Sequence, residues 1–318
     1  MKKYFIIIGL MFLLSCNKSK IAAVDASKVD VKLQVERFEQ KFYNATPETL
    51  PLLKNEYPYL FPIFNHDSVW INRINDKQER IYFKLSQDVF GDFITEKNEI
   101  TQLFKHVKHY HPNFKEPKII TLITKLDYQN KVMYVDSLLF VSLDMYLGKN
   151  NDIYNEFPEY IAYNFEKSQL AVDIAIAISE IYGFTGSHRQ FLDIIISEGK
   201  KMYLVDIYVP AISDAQKMGY TSEKMEWATL NEEQVWKYFV EKNLLYSTDP
   251  KLYSRFISDA PFSKFYIDID ADSPGRIGTW LGWQIVRSYM SKNDVTLQQL
   301  MEINADELFK KSKYKPKK

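Results

Sequence analysis

The sequence of 318 residues contains a single cysteine, only 10 glycines and no apolar run of the roughly 20 residues that a membrane-spanning helix needs. One thiol cannot form a disulfide within the chain, so a folded body has to be stabilised by its own hydrophobic core. So few glycines disfavour a sandwich or barrel with many tight turns. Basic and acidic residues balance at 41 each, and such a neutral chain has no electrostatic reason to bind nucleic acid.

The start of the chain has the layout of a secretory signal peptide. Lys2 and Lys3 precede an uncharged apolar run, Tyr4–Leu14, that is too short to span a membrane. We therefore predict that residues 1–15 are a signal peptide that is removed on export. Their loss takes away two lysines and no acidic residue, which leaves a formal charge of −2.

The lone cysteine follows directly on this apolar run. The stretch Leu13-Leu14-Ser15-Cys16 resembles the lipobox of bacterial lipoproteins, in which the signal peptidase cuts before a cysteine that carries a diacylglycerol. Two or three acyl chains give a stable anchor, because each buried methylene contributes about 0.8 kcal/mol. The resemblance predicts lipid attachment at Cys16, which makes the lipid bilayer a partner, followed by a lipidated tether over residues 16–30.

The rest of the chain shows no strong linker, repeat or low-complexity stretch. This predicts a single globular domain over residues 31–310, or two packed subdomains, and a basic tail over residues 311–318. Most segments have helical patterns, and the two strongest cover residues 169–182 and 189–209. β-branched sequence predicts strands in the middle of the chain, over residues 118–126, 131–134 and 137–144. We therefore expect an α+β fold, mostly helical, with a small central antiparallel sheet packed on helices.

Local signals for catalysis are few. The sequence lacks the GxSxG, GxxxxGK[ST] and GxGxxG motifs of hydrolases and nucleotide-binding proteins. His106 and His109 lie one helical turn apart, a spacing that two zinc ligands can have. No carboxylate or thiol ligand lies nearby in the sequence, so we interpret this segment as a half-exposed amphipathic helix. Asp268, Asp270 and Asp272 begin like an EF-hand loop, but the glycine and glutamate needed at later positions are missing. We interpret this segment as an acidic turn before a helix.

Four longer motifs, in their order along the chain, resemble the gliding motility lipoprotein GldB family of Bacteroidetes: FVSLDMYLG, FPEYIAYNFEKSQLAVD, ISEGKKMYLVD and PGRIGTWLGWQIVRSYM. The segments RFEQKFYN and YPYLFPIF fit the same family, and the resemblance covers roughly residues 30–310. It implies a cell-envelope lipoprotein that supports gliding and type IX protein secretion, with other gliding or secretion envelope proteins as partners. Surface-exposed lipoproteins of this phylum carry an acidic cluster after the cysteine, and Asn17-Lys18-Ser19-Lys20 contains no acidic residue. We therefore expect the domain to face the periplasm, with its anchor in either the inner or the outer membrane.

The chain is more distantly similar to gluzincin zinc metallopeptidases. The similarity lies in the order of elements, strands followed by two helices, and in a Glu-Gly pair on the second helix, which is Glu198-Gly199 here. In those enzymes an HExxH motif on the first helix and a glutamate on the next hold zinc. Here the first helix reads QLAVDIAIAISEIY and contains no histidine. The resemblance therefore implies a gluzincin-like core with a degenerate metal site, in which Glu198 is the candidate remnant. We expect a non-catalytic scaffold without metal or other cofactor.

Two alternatives stay open. An active zinc-dependent hydrolase would need atypical ligands, such as His106, His109 or His188 with Glu198. A glycan- or solute-binding lipoprotein would use exposed aromatic rings, and Trp280 and Trp283 lie close together on one predicted helix. The small and apolar residues of GTWLGWQIV favour packing of these two rings in the core.

Overall fold

The computed structural model describes residues 24–183, 189–268 and 270–317, so the predicted signal peptide, Cys16 and His188 lie outside the described residues. Four strands are described, namely β1 (Val35–Arg37), β2 (Lys118–Leu122), β3 (Val132–Val135) and β4 (Leu138–Ser142). The helices in the same ranges are α1 (Phe38–Tyr43), α2 (Leu50–Glu56), α3 (Asp67–Asn75), α4 (Lys77–Phe90), α5 (Ile94–Tyr110), α6 (Glu159–Ala162), α7 (Leu170–Tyr182), α8 (Phe191–Tyr208), α9 (Asp214–Met218), α10 (Ser222–Leu230), α11 (Glu232–Glu241), α12 (Lys251–Phe256), α13 (Ile277–Lys292), α14 (Leu297–Glu302) and α15 (Ala305–Ser312). Across the described part of the chain, none of them has both the length and the apolar composition to cross a membrane.

The four strands form one mixed sheet in the order β1-β2-β4-β3. The α+β, mostly helical class is confirmed, but the expected antiparallel arrangement holds only for the hairpin of β3 and β4. β1 pairs with β2 and β2 pairs with β4 in parallel. Parallel neighbours need a long crossover connection, and here the five helices α1–α5 supply it between β1 and β2.

The two strongest helical patterns of the sequence correspond to α7 and α8. α7 ends before Gly183, as its pattern predicts, although Gly183 has φ −68° and ψ 157° and not the left-handed conformation common at helix ends. α8 begins with a capping box in which the side chains of Gln190 and Asp193 bond each other's backbone N–H groups. Most of α7 is buried, in keeping with its nearly continuous apolar sequence.

The hydrophobic core of the described residues falls into two clusters. The first surrounds the sheet and takes side chains from α1–α5 and α7, while the second lies mainly among α11, α12 and α13. α8 belongs to both clusters, because its part up to Met202 packs in the second and its last two turns pack in the first. The buried residues that divide in this way are Phe191, Leu192, Ile195, Ile196 and Met202 in the second cluster and Leu204, Val205, Ile207 and Tyr208 in the first.

α8 and α13 cross with their backbones in contact at two glycines. A Cβ atom on Gly199 would lie 2.8 Å from the backbone nitrogen of Trp283, and closer still to the carbonyl group of Gly282. A Cβ atom on Gly282 would in turn lie 2.6 Å from the carbonyl carbon of Ile195. Since a backbone cannot rotate out of the way, this crossing accepts only glycine at both positions.

A buried charge network fastens the same helices to α9. Asp206 of α8 is fully buried and accepts hydrogen bonds from Trp283 Nε1 at 2.7 Å and Lys217 Nζ at 2.9 Å. Arg287 of α13 donates to Asp206 from Nε at 2.7 Å and to Asp214 from Nη1 at 2.6 Å. A buried carboxylate is tolerated only when it is paired and hydrogen-bonded, and this one has three cationic or polar partners.

Both ends of the described chain lie against the body. Ala26, in the described part of the predicted tether, is buried, and Lys105 Nζ of α5 donates to the carbonyl oxygen of Ser27 at 3.1 Å. Near the other end, the Tyr314 hydroxyl donates to Glu232 Oε1 at 2.6 Å. Part of each predicted terminal segment is therefore held by specific contacts.

Candidate functional site

The parallel strands β1, β2 and β4 end at one edge of the sheet, and a pocket of about 280 Å³ lies at the ends of β1 and β2. In open sheets with parallel strands, ligands bind most often beyond the carboxyl ends of the strands. The residues that line the pocket are Phe38, Glu39, Phe42, Tyr43, Leu60, Phe61, Trp70, Arg73, Leu122, Ile123, Thr124 and Asp127. Two parts of this wall directly follow strands: α1 follows β1, and the loop from Ile123 follows β2. The sheet therefore fixes the positions of both.

Five aromatic rings form most of the apolar wall. The ring centroids of Phe61 and Trp70 are 4.9 Å apart in an edge-on arrangement, and those of Phe38 and Phe42 are 5.7 Å apart and stacked. The fifth ring, Tyr43, packs edge-on against Phe42 at 5.0 Å. These contacts fix each ring by its neighbours, so the pocket is preformed.

Glu39 is a fully buried carboxylate in the pocket wall. Its Oε1 accepts a hydrogen bond from Arg37 Nε at 2.6 Å, and its Oε2 accepts one from the Thr121 hydroxyl. The charge of Glu39 is thus neutralised on the protein side of the wall. This carboxylate therefore exerts little attraction on a cation in the pocket.

Arg73 supplies the strongest hydrogen-bond donor of the pocket. Its Nε and Nη2 donate to Glu79 Oε2 at 3.1 and 3.0 Å, and the Tyr43 hydroxyl donates to the same oxygen at 2.8 Å. The guanidinium carbon lies 5.6 Å from the ring centroid of Phe42 and 5.8 Å from that of Trp70. Among the described residues Nη1 has no hydrogen-bond acceptor, so part of this fixed guanidinium remains available to a ligand.

The loop after β2 is strained between its pocket-lining residues Thr124 and Asp127. Lys125 and Leu126 have φ values of 65° and 64°, a left-handed conformation that costs about 1–2 kcal/mol for a residue other than glycine. The fully buried Asp144 holds this loop, because its carboxylate accepts the N–H groups of Thr124 at 3.0 Å and Leu126 at 2.8 Å. Burial raises the pKa of Asp144, and the two backbone donors oppose that shift. Backbone strain of this kind concentrates at functional sites.

Glu198, the residue singled out by the gluzincin resemblance, lies near the middle of α8 and forms an ion pair. Its Oε1 is 2.7 Å from Lys201 Nζ, which also donates to Glu180 at 2.8 Å. Gly199 beside it is required by the helix crossing, so the Glu-Gly pair has a packing explanation. α7 offers aliphatic side chains where zinc would need imidazole, so the residues present do not fit a zinc centre.

The histidines have other surroundings. His106 and His109 both lie on α5, and burial lowers the pKa of His106. His111 Nε2 lies 2.6 Å from the Tyr208 hydroxyl, and burial lowers the pKa of this histidine to about 4. Over the ranges that the structure describes, no three histidine, cysteine or acidic side chains meet as a possible metal site, and Glu198 is not joined by histidines.

The two tryptophans considered for glycan binding are core residues. Trp280 is 3% exposed and Trp283 is fully buried, which confirms the packing interpretation and leaves neither ring free to stack on a sugar. The acidic segment before α13 is a turn, as predicted. Asp270 accepts backbone N–H groups of the loop before it at 3.0 and 2.8 Å, and α13 follows from Ile277.

None of the pocket residues was predicted to be functional from the sequence, although two aromatic segments pointed to them. The segments RFEQKFYN and YPYLFPIF supply six of the twelve lining residues. Both segments are dense in aromatic residues and both fit the family resemblance. The two segments meet through ring contacts of Phe61 with Phe38 and Phe42, at 5.9 and 6.2 Å between centroids. The parallel pairing of β1 with β2 then places the loop after β2 beside them, and the pattern of either segment alone reveals neither feature.

Comparison with known proteins gives one positive finding. The family model described as gliding motility protein GldB matches residues 19–316. No curated protein and no solved structure matches the chain. Because the family match spans nearly the whole sequence, the chain belongs to the GldB family of gliding motility lipoproteins.

Proposed function

We propose that this gliding motility lipoprotein is anchored through Cys16, faces the periplasm and supports type IX protein secretion by binding other envelope proteins. The observation that carries the proposal is the family match over residues 19–316. The lipobox after a short apolar run supplies the anchor, and the absence of an acidic cluster behind it favours the periplasmic side.

We further propose that the body acts by contact and without catalysis, as a peptidase-like scaffold with a gluzincin-like core. Three observations favour this: the buried aliphatic surface of α7, the ion pair of Glu198 with Lys201, and the packing role of Gly199. Among the described residues, no histidine, cysteine or acidic side chains gather around Glu198 as a site that could hold a metal ion to activate water.

The test is complementation of a strain that lacks the gene. Wild type is expected to restore colony spreading and secretion of surface adhesins, Cys16→Ala to fail although the protein is made, and Glu198→Ala to restore both. Normal spreading and secretion in the deletion strain would refute the proposed role. Peptide hydrolysis by the purified protein that disappears with a chelator would refute the scaffold assignment alone.

The partner is identified by affinity capture of the anchored protein from gently solubilised envelopes. We expect gliding or secretion envelope proteins to be retained by wild type and by Glu198→Ala. Capture with Cys16→Ala as a matched control separates partners bound by the body from those that depend on membrane placement.

A further inference from the structure

We infer that the pocket at the strand ends binds a compact aromatic or aliphatic group that carries a carbonyl or carboxylate oxygen at one end. The aromatic wall contacts the apolar part of this ligand, and Arg73 donates a hydrogen bond to its oxygen. The proposed function assigns no role to this pocket.

The size and the wall of the pocket define the apolar half of the ligand. About 280 Å³ is close to the lower end of ligand pockets, which begin at roughly 300 Å³, and accommodates one ring with a short chain. Water gains few hydrogen bonds against the ring faces of Phe42, Phe61 and Trp70, so an apolar group displaces it favourably.

The charges around the pocket define the polar half. Glu39 is neutralised by Arg37, and Glu79 is neutralised by Arg73, so neither carboxylate is available to attract a cation. Asp127 already accepts a hydrogen bond from Asn130 Nδ2 at 2.9 Å. The Nη1 donors of Arg73 remain, and so does the Nε1–H of Trp70, which is buried and has no hydrogen-bond partner among the described residues. The natural partner of such donors is an oxygen with lone pairs.

The guanidinium is also held in position before a ligand arrives. Its two bonds to Glu79 fix its plane, and the rings of Phe42 and Trp70 lie against it. A donor fixed in this way loses little conformational entropy when it binds an acceptor, which favours recognition of a defined oxygen position.

The ligand chemistry has two sources, a free small molecule or the end of a polypeptide. Ile63 and Phe64, which follow the pocket residue Phe61 in the chain, are 88% and 90% exposed. A polypeptide would find apolar surface there beyond the pocket, whereas a small molecule would not use it.

The experiment uses the full chain with Cys16→Ala, so that no acyl chain or detergent competes for the pocket. Saturation-transfer NMR measures the affinities of 3-phenylpropionate, 3-phenylpropanamide and propylbenzene. We expect the first two to bind in the millimolar range that ligands of this size reach. Propylbenzene should bind about tenfold more weakly, because it lacks the hydrogen bond to the charged Arg73.

Two variants locate the site. Leu60→Trp fills the pocket from its half-exposed wall and should weaken 3-phenylpropionate by about tenfold or more, whereas Leu52→Trp, at a 70% exposed position of α2, should leave the affinity unchanged. Arg73→Lys keeps the charge but removes the fixed donors, so the preference for 3-phenylpropionate over propylbenzene should fall several-fold. Circular dichroism confirms that each variant is folded.

Three outcomes overturn the inference: no probe binds, Leu60→Trp binds 3-phenylpropionate as tightly as wild type, or propylbenzene matches 3-phenylpropionate. N-acetyl-alanyl-phenylalanine separates the two sources. Binding at least as tight as that of 3-phenylpropionate supports a polypeptide end, and exclusion of the dipeptide while 3-phenylpropionate still binds supports a free small molecule.

Discussion

Replacing Gly199 with alanine tests whether the Glu198-Gly199 pair is an element of helix packing. The new Cβ atom would lie 2.8 Å from Trp283 N and closer to the Gly282 carbonyl. Ordinary contacts between such atoms are about 3.5–4.0 Å, so α8 and α13 would have to separate by roughly 1 Å. All of the opposing atoms belong to the backbone, and a side-chain rotation cannot relieve the clash.

The cost follows from this separation. A gap of about 0.5–1 Å forfeits a quarter to a half of the dispersion attraction across an interface, and overpacking of a core costs about 1–3 kcal/mol or more. Alanine returns up to about 1 kcal/mol through its higher helix propensity. We expect the free energy of unfolding to fall by about 1–2 kcal/mol, which corresponds to roughly 2–4 °C in Tm for a chain of this length.

Glu198→Ala is the matched control, one residue away on the same helix. It removes only a partly exposed ion pair with Lys201 and should change the free energy of unfolding by less than about 0.5 kcal/mol. Urea unfolding followed by circular dichroism measures both variants. A wild-type urea midpoint for Gly199→Ala would refute the glycine crossing, and a folded Glu198→Ala that fails to restore spreading would make Glu198 functional.

Four further variants test buried or half-buried ionisable groups. Asp206→Ala leaves Arg287 with one fewer buried partner and should cost about 3–5 kcal/mol, whereas Asp214→Ala, which removes the partly exposed partner, should cost about 1 kcal/mol. His111 has a folded-state pKa of about 4, below its ordinary 6.5, so stability should fall as pH drops through this window; His111→Phe should remove about 1–2 kcal/mol of that fall by pH 5. Burial lowers the pKa of Lys200 to about 8, so stability should rise between pH 8 and 10.5, and Lys200→Met should remove about 2 kcal/mol of that rise.

Each of these variants has a clear contrary result. Equal losses for Asp206→Ala and Asp214→Ala would mean that the network does not centre on the buried carboxylate. Parallel stability curves for wild type and His111→Phe between pH 7.5 and 5 would contradict the depressed pKa of His111. Likewise, a Lys200→Met curve that rises as steeply as that of wild type above pH 8 would assign the rise to other groups.

Local patterns predicted the parts of the fold that depend on local physics. α7 and α8 were predicted because long apolar periodicity and a terminal glycine act within a few residues. The stretch Thr296-Leu297-Gln298-Gln299 predicts a capping box, and both of its reciprocal bonds are formed. The stretch Asn231-Glu232-Glu233-Gln234 predicts a second one, but Asn231 does not cap α11, because its side-chain nitrogen donates to the carbonyl oxygen of Trp227 instead.

The sheet and the pocket could not be predicted in the same way. β1 has three residues, and its partner β2 lies more than eighty residues further along the chain, so no local period reveals their pairing. The pocket depends on that pairing, since it brings α1 next to the loop after β2. Glu198 rests on a different kind of argument, because it was selected by analogy of element order along the chain. The structure adds the contacts of the pair: Glu198 is ion-paired with Lys201, and Gly199 packs against α13.

α8 takes part in both hydrophobic clusters, and this has a mechanical consequence. A force that pulled the two clusters apart would act along one continuous helix. The junction between them therefore has no soft hinge at α8, and separating the clusters would require stripping one part of this helix from its neighbours.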